Sequence, residues 1–124
     1  YKRQDILAKT LHMITHQTYP LDLIEVVIAD DGSSEDTLSV VNPFREKLNI
    51  TYTNQEDKGY RLSAARNMGI RASSNDHIII LDADVAPIPN LVEAYARRFS
   101  VTSRAVLCGH RRYVDANLAS YSGF

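Results

Sequence analysis

The sequence predicts an α/β domain, a mostly parallel sheet with flanking helices. Two short runs of mainly β-branched residues, 24–29 and 77–81, largely lack alternation and suit strands buried on both faces. Each run ends in carboxylates, Asp30-Asp31 in the first case and Asp82-Ala83-Asp84 in the second. Between and around them lie segments whose apolar residues recur at helical spacing. Open α/β sheets place their ligands at the carboxyl ends of strands, so the two acidic tips form the candidate site.

Bulk properties narrow the classes. The 124 residues make one domain or part of one, long enough to bury a core. A formal net charge of −1 lacks the basic footprint of a nucleic-acid binder, so no nucleic-acid partner is expected. No apolar run approaches the ~18 residues of a membrane span. Cys108 is the single cysteine and has no internal partner, which favours a reducing compartment and a cytoplasmic location.

In chain order, Lys2 to Gln17 reads as a helix from Ile6, Leu7, Leu11 and Ile14, closed by Thr18-Tyr19-Pro20. His12 and His16 stand at the i, i+4 spacing of a zinc pair, but without a Glu after His12 or a third ligand nearby they read as surface histidines. The strand at 24–29 runs into Asp30-Asp31-Gly32-Ser33-Ser34, where Gly32 permits a tight turn. Ser33 with Asp36 fits a capping box for the next helix. That helix, Thr37 to Leu48, is interrupted by Pro43, which is expected to start a fresh turn. Asn49 to Thr53 is a short strand, and 55–60 a polar loop bending at Gly59.

A helix from Leu62 to Ala72 presents Leu62, Ala65, Met68, Gly69 and Ala72 as a narrow face that can lie close to a sheet. Arg61, Arg66 and Arg71 do not share one face of it. Arg66 borders the apolar stripe and can turn toward the strand tips, for an aspartate or for a ligand. Ser73 to Asp76 is a turn into the second acidic strand. Asn90 can cap a helix to Phe99 with Leu91, Ala94, Tyr95 and Phe99 inward. Ala105 to Gly109 is a last strand, followed by the basic and aromatic His110 to Tyr113, and no period marks the tail from Asp115.

Three motifs in register, Asp30-Asp31-Gly32-Ser33, the Gly59…Ala65-Arg66-Asn67-Met68-Gly69 segment and Leu81-Asp82-Ala83-Asp84, resemble family 2 glycosyltransferases of the GT-A (Rossmann-like) fold. Residues 59–67, Ala86-Pro87 and 109–115 resemble the capsular-polysaccharide, chondroitin synthase type. A lone Asp-x-Asp is common, but three motifs in order are specific. The resemblance implies a UDP-sugar donor, a glycan or other hydroxyl acceptor, and transfer with inversion in polysaccharide or glycoconjugate synthesis. It implies that Asp30 and Asp31 recognise uracil or ribose, that Arg66 lies near the nucleotide, and that Asn67 braces the acidic triplet. Asp82 would contact ribose or donor sugar, and Asp84 with Asp82 would hold Mn2+ or Mg2+ on the diphosphate. Such an ion stabilises the charge that develops as UDP departs, and carboxylates are the hard oxygen ligands it takes.

The same resemblance implies that residues 1–124 are the nucleotide-sugar-binding part of a longer domain, incomplete at both ends. A first strand from the middle of the sheet and the acceptor half with the catalytic base are expected outside it, as is any membrane association. His110 reads as a loop residue. The competing classes are a nucleotidyltransferase and a non-catalytic nucleotide-binding or receiver-like module. The former usually carries a glycine-rich phosphate loop near its first strand, and the latter a Lys closing a late strand, where this chain has Gly109-His110.

Overall fold

A computed structural model describes residues 3–34 and 36–113. Helix α1 spans Arg3–Ile14, strand β1 Glu25–Asp30, α2 Thr37–Val41, β2 Asn49–Asn54, α3 Leu62–Ala72 and α4 Leu91–Phe99. Short 3-10 turns cover Leu21–Leu23 and Asn42–Glu46. β1 and β2 pair in parallel, in register from Glu25 opposite Asn49 to Asp30 opposite Asn54. Parallel neighbours need a crossover, and α2 with the following 3-10 turn supplies it. Pro43 marks the break between those two elements, since it lacks the N–H that a continuing helix needs.

The core lies between α1, the crossover and the strand pair. Leu11, Val26, Val41, Leu48 and Ile50 are buried there, with Leu7, Ile14, Ile28 and Phe44 packed around them. Leu11 and Val41 are fully enclosed, and burial of each stabilises by about 1.5–3 kcal/mol. Of the expected α1 stripe, Leu7, Leu11 and Ile14 face this core while Ile6 is exposed. Thr10, Met13 and Gln17 are buried too. Thr10 and Met13, at i and i+3, make a second inward face of α1 beside the first, and Gln17 follows just past the helix end.

β1 holds α3 at both ends. Glu25 accepts from the Ser74 backbone N–H at 2.9 Å, the Ser74 hydroxyl at 2.8 Å and Asn75 at 3.2 Å, just beyond the helix C-terminus. At the other end Asp31 accepts from the Arg61 N–H at 2.8 Å, at the helix N-terminus. Between these ties the small face expected on α3 lies on the strand. Ala65 is buried, and a Cβ on Gly69 would stand 3.2 Å from that of Ala29.

Three expectations are corrected. Residues 77–81 form no strand, and Ile80 is 55% exposed. Residues 105–109 form none either, and Val106 is 93% exposed. Apolar character favours burial, but a strand also needs a neighbour for its backbone groups. Among the described residues β1 and β2 find that neighbour only in each other. The capping box is displaced as well: Asp36, not Ser33, is the N-cap of α2 and accepts from the Ser39 N–H at 3.1 Å. The tail from Asp115 lies outside the described residues.

Candidate functional site

Neighbouring residues of a strand point to opposite faces, and the two aspartates closing β1 part company accordingly. Asp30 turns inward and is buried. Its Oδ1 accepts from the Ser33 N–H at 2.7 Å, and its Oδ2 from the hydroxyls of Thr37 at 2.7 Å and Tyr52 at 2.9 Å. Burial alone would raise its carboxyl pKa, but these bonds outweigh burial and hold it below the ordinary value. The same contact, added to burial, pushes the Tyr52 phenol up. Asp30 therefore secures the turn, and the structure gives it a supporting place rather than a ligand-facing one.

Asp31 is half-buried and stands at the mouth of the tip. It accepts from the Gln55 side chain and the Arg61 N–H, and the Arg61 guanidinium lies 3.7 Å away. The bond from Gln55, then that from Arg61, lowers its pKa. The Arg61 side chain also donates to the Glu56 carbonyl, while its Nε is buried and finds no hydrogen-bond partner among the described residues. Gly32 makes the tip compact. Its φ is +80°, and a Cβ there would fall 2.5 Å from the backbone of Asp57. Only glycine fits both the conformation and the space.

The second tip is a turn closed by the Val85 N–H donating to the Asp82 carbonyl at 3.0 Å. Arg66 reaches it from α3, its guanidinium 3.0 Å from Asp82 Oδ1. Arg61 and Arg66 are five residues apart, roughly 7.5 Å along a helix axis. One helix thus touches Asp31 at its N-terminus and Asp82 through a side chain of its second turn. Asp84 is exposed and makes no hydrogen bond or ion pair among the described residues. Asn67 is exposed as well, and the brace expected from it comes from α1 instead. The Thr10 hydroxyl lies 2.8 Å from the Ala83 carbonyl and 3.2 Å from that of Val85.

Downstream, Gln17 donates to the Ile88 carbonyl at 2.8 Å and accepts from the Val92 N–H at 3.0 Å. It thereby caps α4 from outside, where Asn90 makes no side-chain cap bond. The Thr18 hydroxyl, donating to Glu93 at 2.7 Å, ties the same elements. No sequence signal singles out Thr10 or Gln17, because polar residues at helical spacing read as solvent-facing. Gln55 was legible only as a loop residue, and Arg61 as part of the 59–67 motif beside the helix, with no role of its own.

No group of three His, Cys, Asp or Glu gathers among the described residues. The rings of His12 and His16 lie 4.5 Å apart, and no third such residue joins them among the described residues. Mg2+ and Mn2+ at a diphosphate need less, one or two carboxylates plus substrate oxygens and water. The free carboxylate of Asp84, two residues from Asp82, fits that donor set.

The model of glycosyl transferase family 2 matches residues 1–123. The chain belongs to glycosyl transferase family 2. It is 41% identical over its whole length to a chondroitin synthase of Escherichia coli, and spans 18% of that protein. It is 41% identical to a chondroitin synthase of Pasteurella multocida and 38% identical to a hyaluronan synthase of the same species. Those matches cover 94% and 93% of this chain, and 12% of each relative. The chain therefore spans less than a fifth of the length of these relatives. Its parallel strand pair with flanking helices is part of the GT-A architecture that goes with family 2.

Proposed function

We propose that this chain is the donor-binding part of a metal-dependent glycosyltransferase that uses a UDP-sugar in polysaccharide synthesis. The observation that carries the reading is the contrast inside the site. Asp30, Asp31 and Asp82 are engaged with protein donors, while Asp84 stands exposed on a braced turn and meets no hydrogen-bond or ion-pair partner among the described residues. Family membership and the similarity to polysaccharide synthases supply the reaction class.

Asp31, anchored by Gln55 and Arg61, presents its remaining lone pairs to the hydroxyls or ring N–H of a nucleoside. Arg66, 40% exposed, can share its guanidinium between Asp82 and a diphosphate oxygen. Asp82 would meet ribose or donor sugar, and Asp84 would hold Mn2+ or Mg2+. When bound, the ion supplies Lewis-acid stabilisation of the departing diphosphate. The acceptor hydroxyl attacks the sugar C1 as a base takes its proton, and that base is expected beyond residue 124.

Calorimetric titration of UDP in Mn2+, wild type against Asp84→Ala, tests the reading. The expected loss is at least ~10-fold in affinity, with the metal-free affinity unchanged. Equal affinities in Mn2+ would sink it.

A further inference from the structure

We propose that Thr10 is a positioning residue that aims Asp84, an inference that rests on the reading of Asp84 as a metal ligand. Helical threonines commonly turn their hydroxyl back to a carbonyl of their own helix. Thr10 does not. It is 94% buried, and its hydroxyl lies within 2.8 Å of Ala83 O and 3.2 Å of Val85 O, 73 and 75 residues along the chain.

Those two carbonyls flank Asp84. Thr10 fixes the peptide planes that Ala83 and Val85 head, and the Val85 N–H, donating to Asp82 O at 3.0 Å, fixes the plane between them. With the plane on either side of its Cα held by a hydrogen bond, Asp84 is restricted in φ and ψ. Its Cα–Cβ bond is thereby directed although the carboxylate has no hydrogen-bond or ion-pair partner among the described residues. The grip is stiff because the next residue, Leu11, is one of the most enclosed side chains of the core. A metal ligand aimed in advance loses less freedom on binding, and groups behind a ligand typically contribute 10–100-fold in metal affinity.

The test compares wild type, Thr10→Val, which keeps the shape and loses the hydroxyl, and Thr10→Ser, which keeps the hydroxyl, in the full-length protein. Three quantities are read: exchange of the Val85 amide, the Mn2+ dissociation constant at saturating UDP by electron paramagnetic resonance, and UDP affinity in EDTA. In Thr10→Val the Val85 amide exchanges faster, Mn2+ binds about 10-fold more weakly, and metal-free UDP affinity stays within about twofold. Thr10→Ser restores the first two.

Unchanged Val85 exchange in Thr10→Val overturns the proposal. So does an equal weakening of UDP with and without metal, which marks a merely structural loss. If wild-type UDP affinity ignores Mn2+, the Asp84 reading fails and the aiming role falls with it. Faster Val85 exchange in Thr10→Val would then show that the hydroxyl grips the turn without serving a metal.

Discussion

The two acid tips have the same sequence logic and different physics. At the end of β1 the carboxylates sit on a paired strand, and three donors converge on Asp30 alone. At 82–84 the preceding run is unpaired, one exposed arginine meets Asp82, and Asp84 meets nothing among the described residues. The first tip is a fastening in which one of two carboxylates is left partly outward. The second is an exposed carboxylate on a turn that the Thr10 hydroxyl of α1 touches from behind. Identical residue types thus divide into one set held by protein donors and one carboxylate, Asp84, that meets none among the described residues.

The sharpest way to expose that division is Gly32→Ala. A side chain at φ +80° costs about 1–2 kcal/mol, and this one must also displace the Asp57 backbone 2.5 Å away. A loss of about 3 kcal/mol or more is expected in urea unfolding. Because the displaced loop leads to Gln55 and Arg61, the Asp31 pocket should suffer with it. A neutral substitution would mean that the tip is not the tightly fitted region described.

Asp30→Asn comes next, with an expected loss of about 2 kcal/mol at pH 7 from the buried, charge-assisted bonds to Ser33, Thr37 and Tyr52. Its pH dependence carries a sign. The folded-state pKa of Asp30 is lowered, so the unfolded chain binds the proton more readily. The stabilisation is fully present above the unfolded value of about 4 and is lost as pH falls through the folded value. Urea midpoints of wild type and variant should therefore converge below about pH 4. A gap that stayed constant with pH would show that the charge of Asp30 contributes nothing.

How far these features were legible depended on whether their cause was local. α3, α4 and both strands follow from short-range period and chain punctuation, and so does the break at Pro43. The run at 77–81 misled because hydrophobicity reports the wish to be buried, and a strand also needs a partner that no local pattern reveals. Asp30 and Asp31 were indistinguishable as letters. Their division follows from which face of β1 meets Tyr52 and Thr37, a matter of register with β2. Thr10 and Gln17 were invisible for a related reason. Thr10 lies on α1 and Gln17 just beyond it, and the burial of both is decided by residues more than 70 positions away.

The smallest expected effect bears on the second tip. Arg66 and Asp82 are 3.0 Å apart, but their side chains are 40% and 43% exposed. Solvent screens such a pair, and ordering two side chains offsets part of the attraction, so exposed pairs contribute about 0–1 kcal/mol. Arg66→Ala should lower the unfolding free energy from urea titration by no more than about 0.5 kcal/mol, while UDP affinity falls if the guanidinium also serves the diphosphate. The ratio of the two effects is the informative quantity. Were Arg66→Ala to destabilise the fold as much as Asp30→Asn and leave UDP binding intact, the second tip would be a fastening like the first. The contrast between the two would then have no functional content.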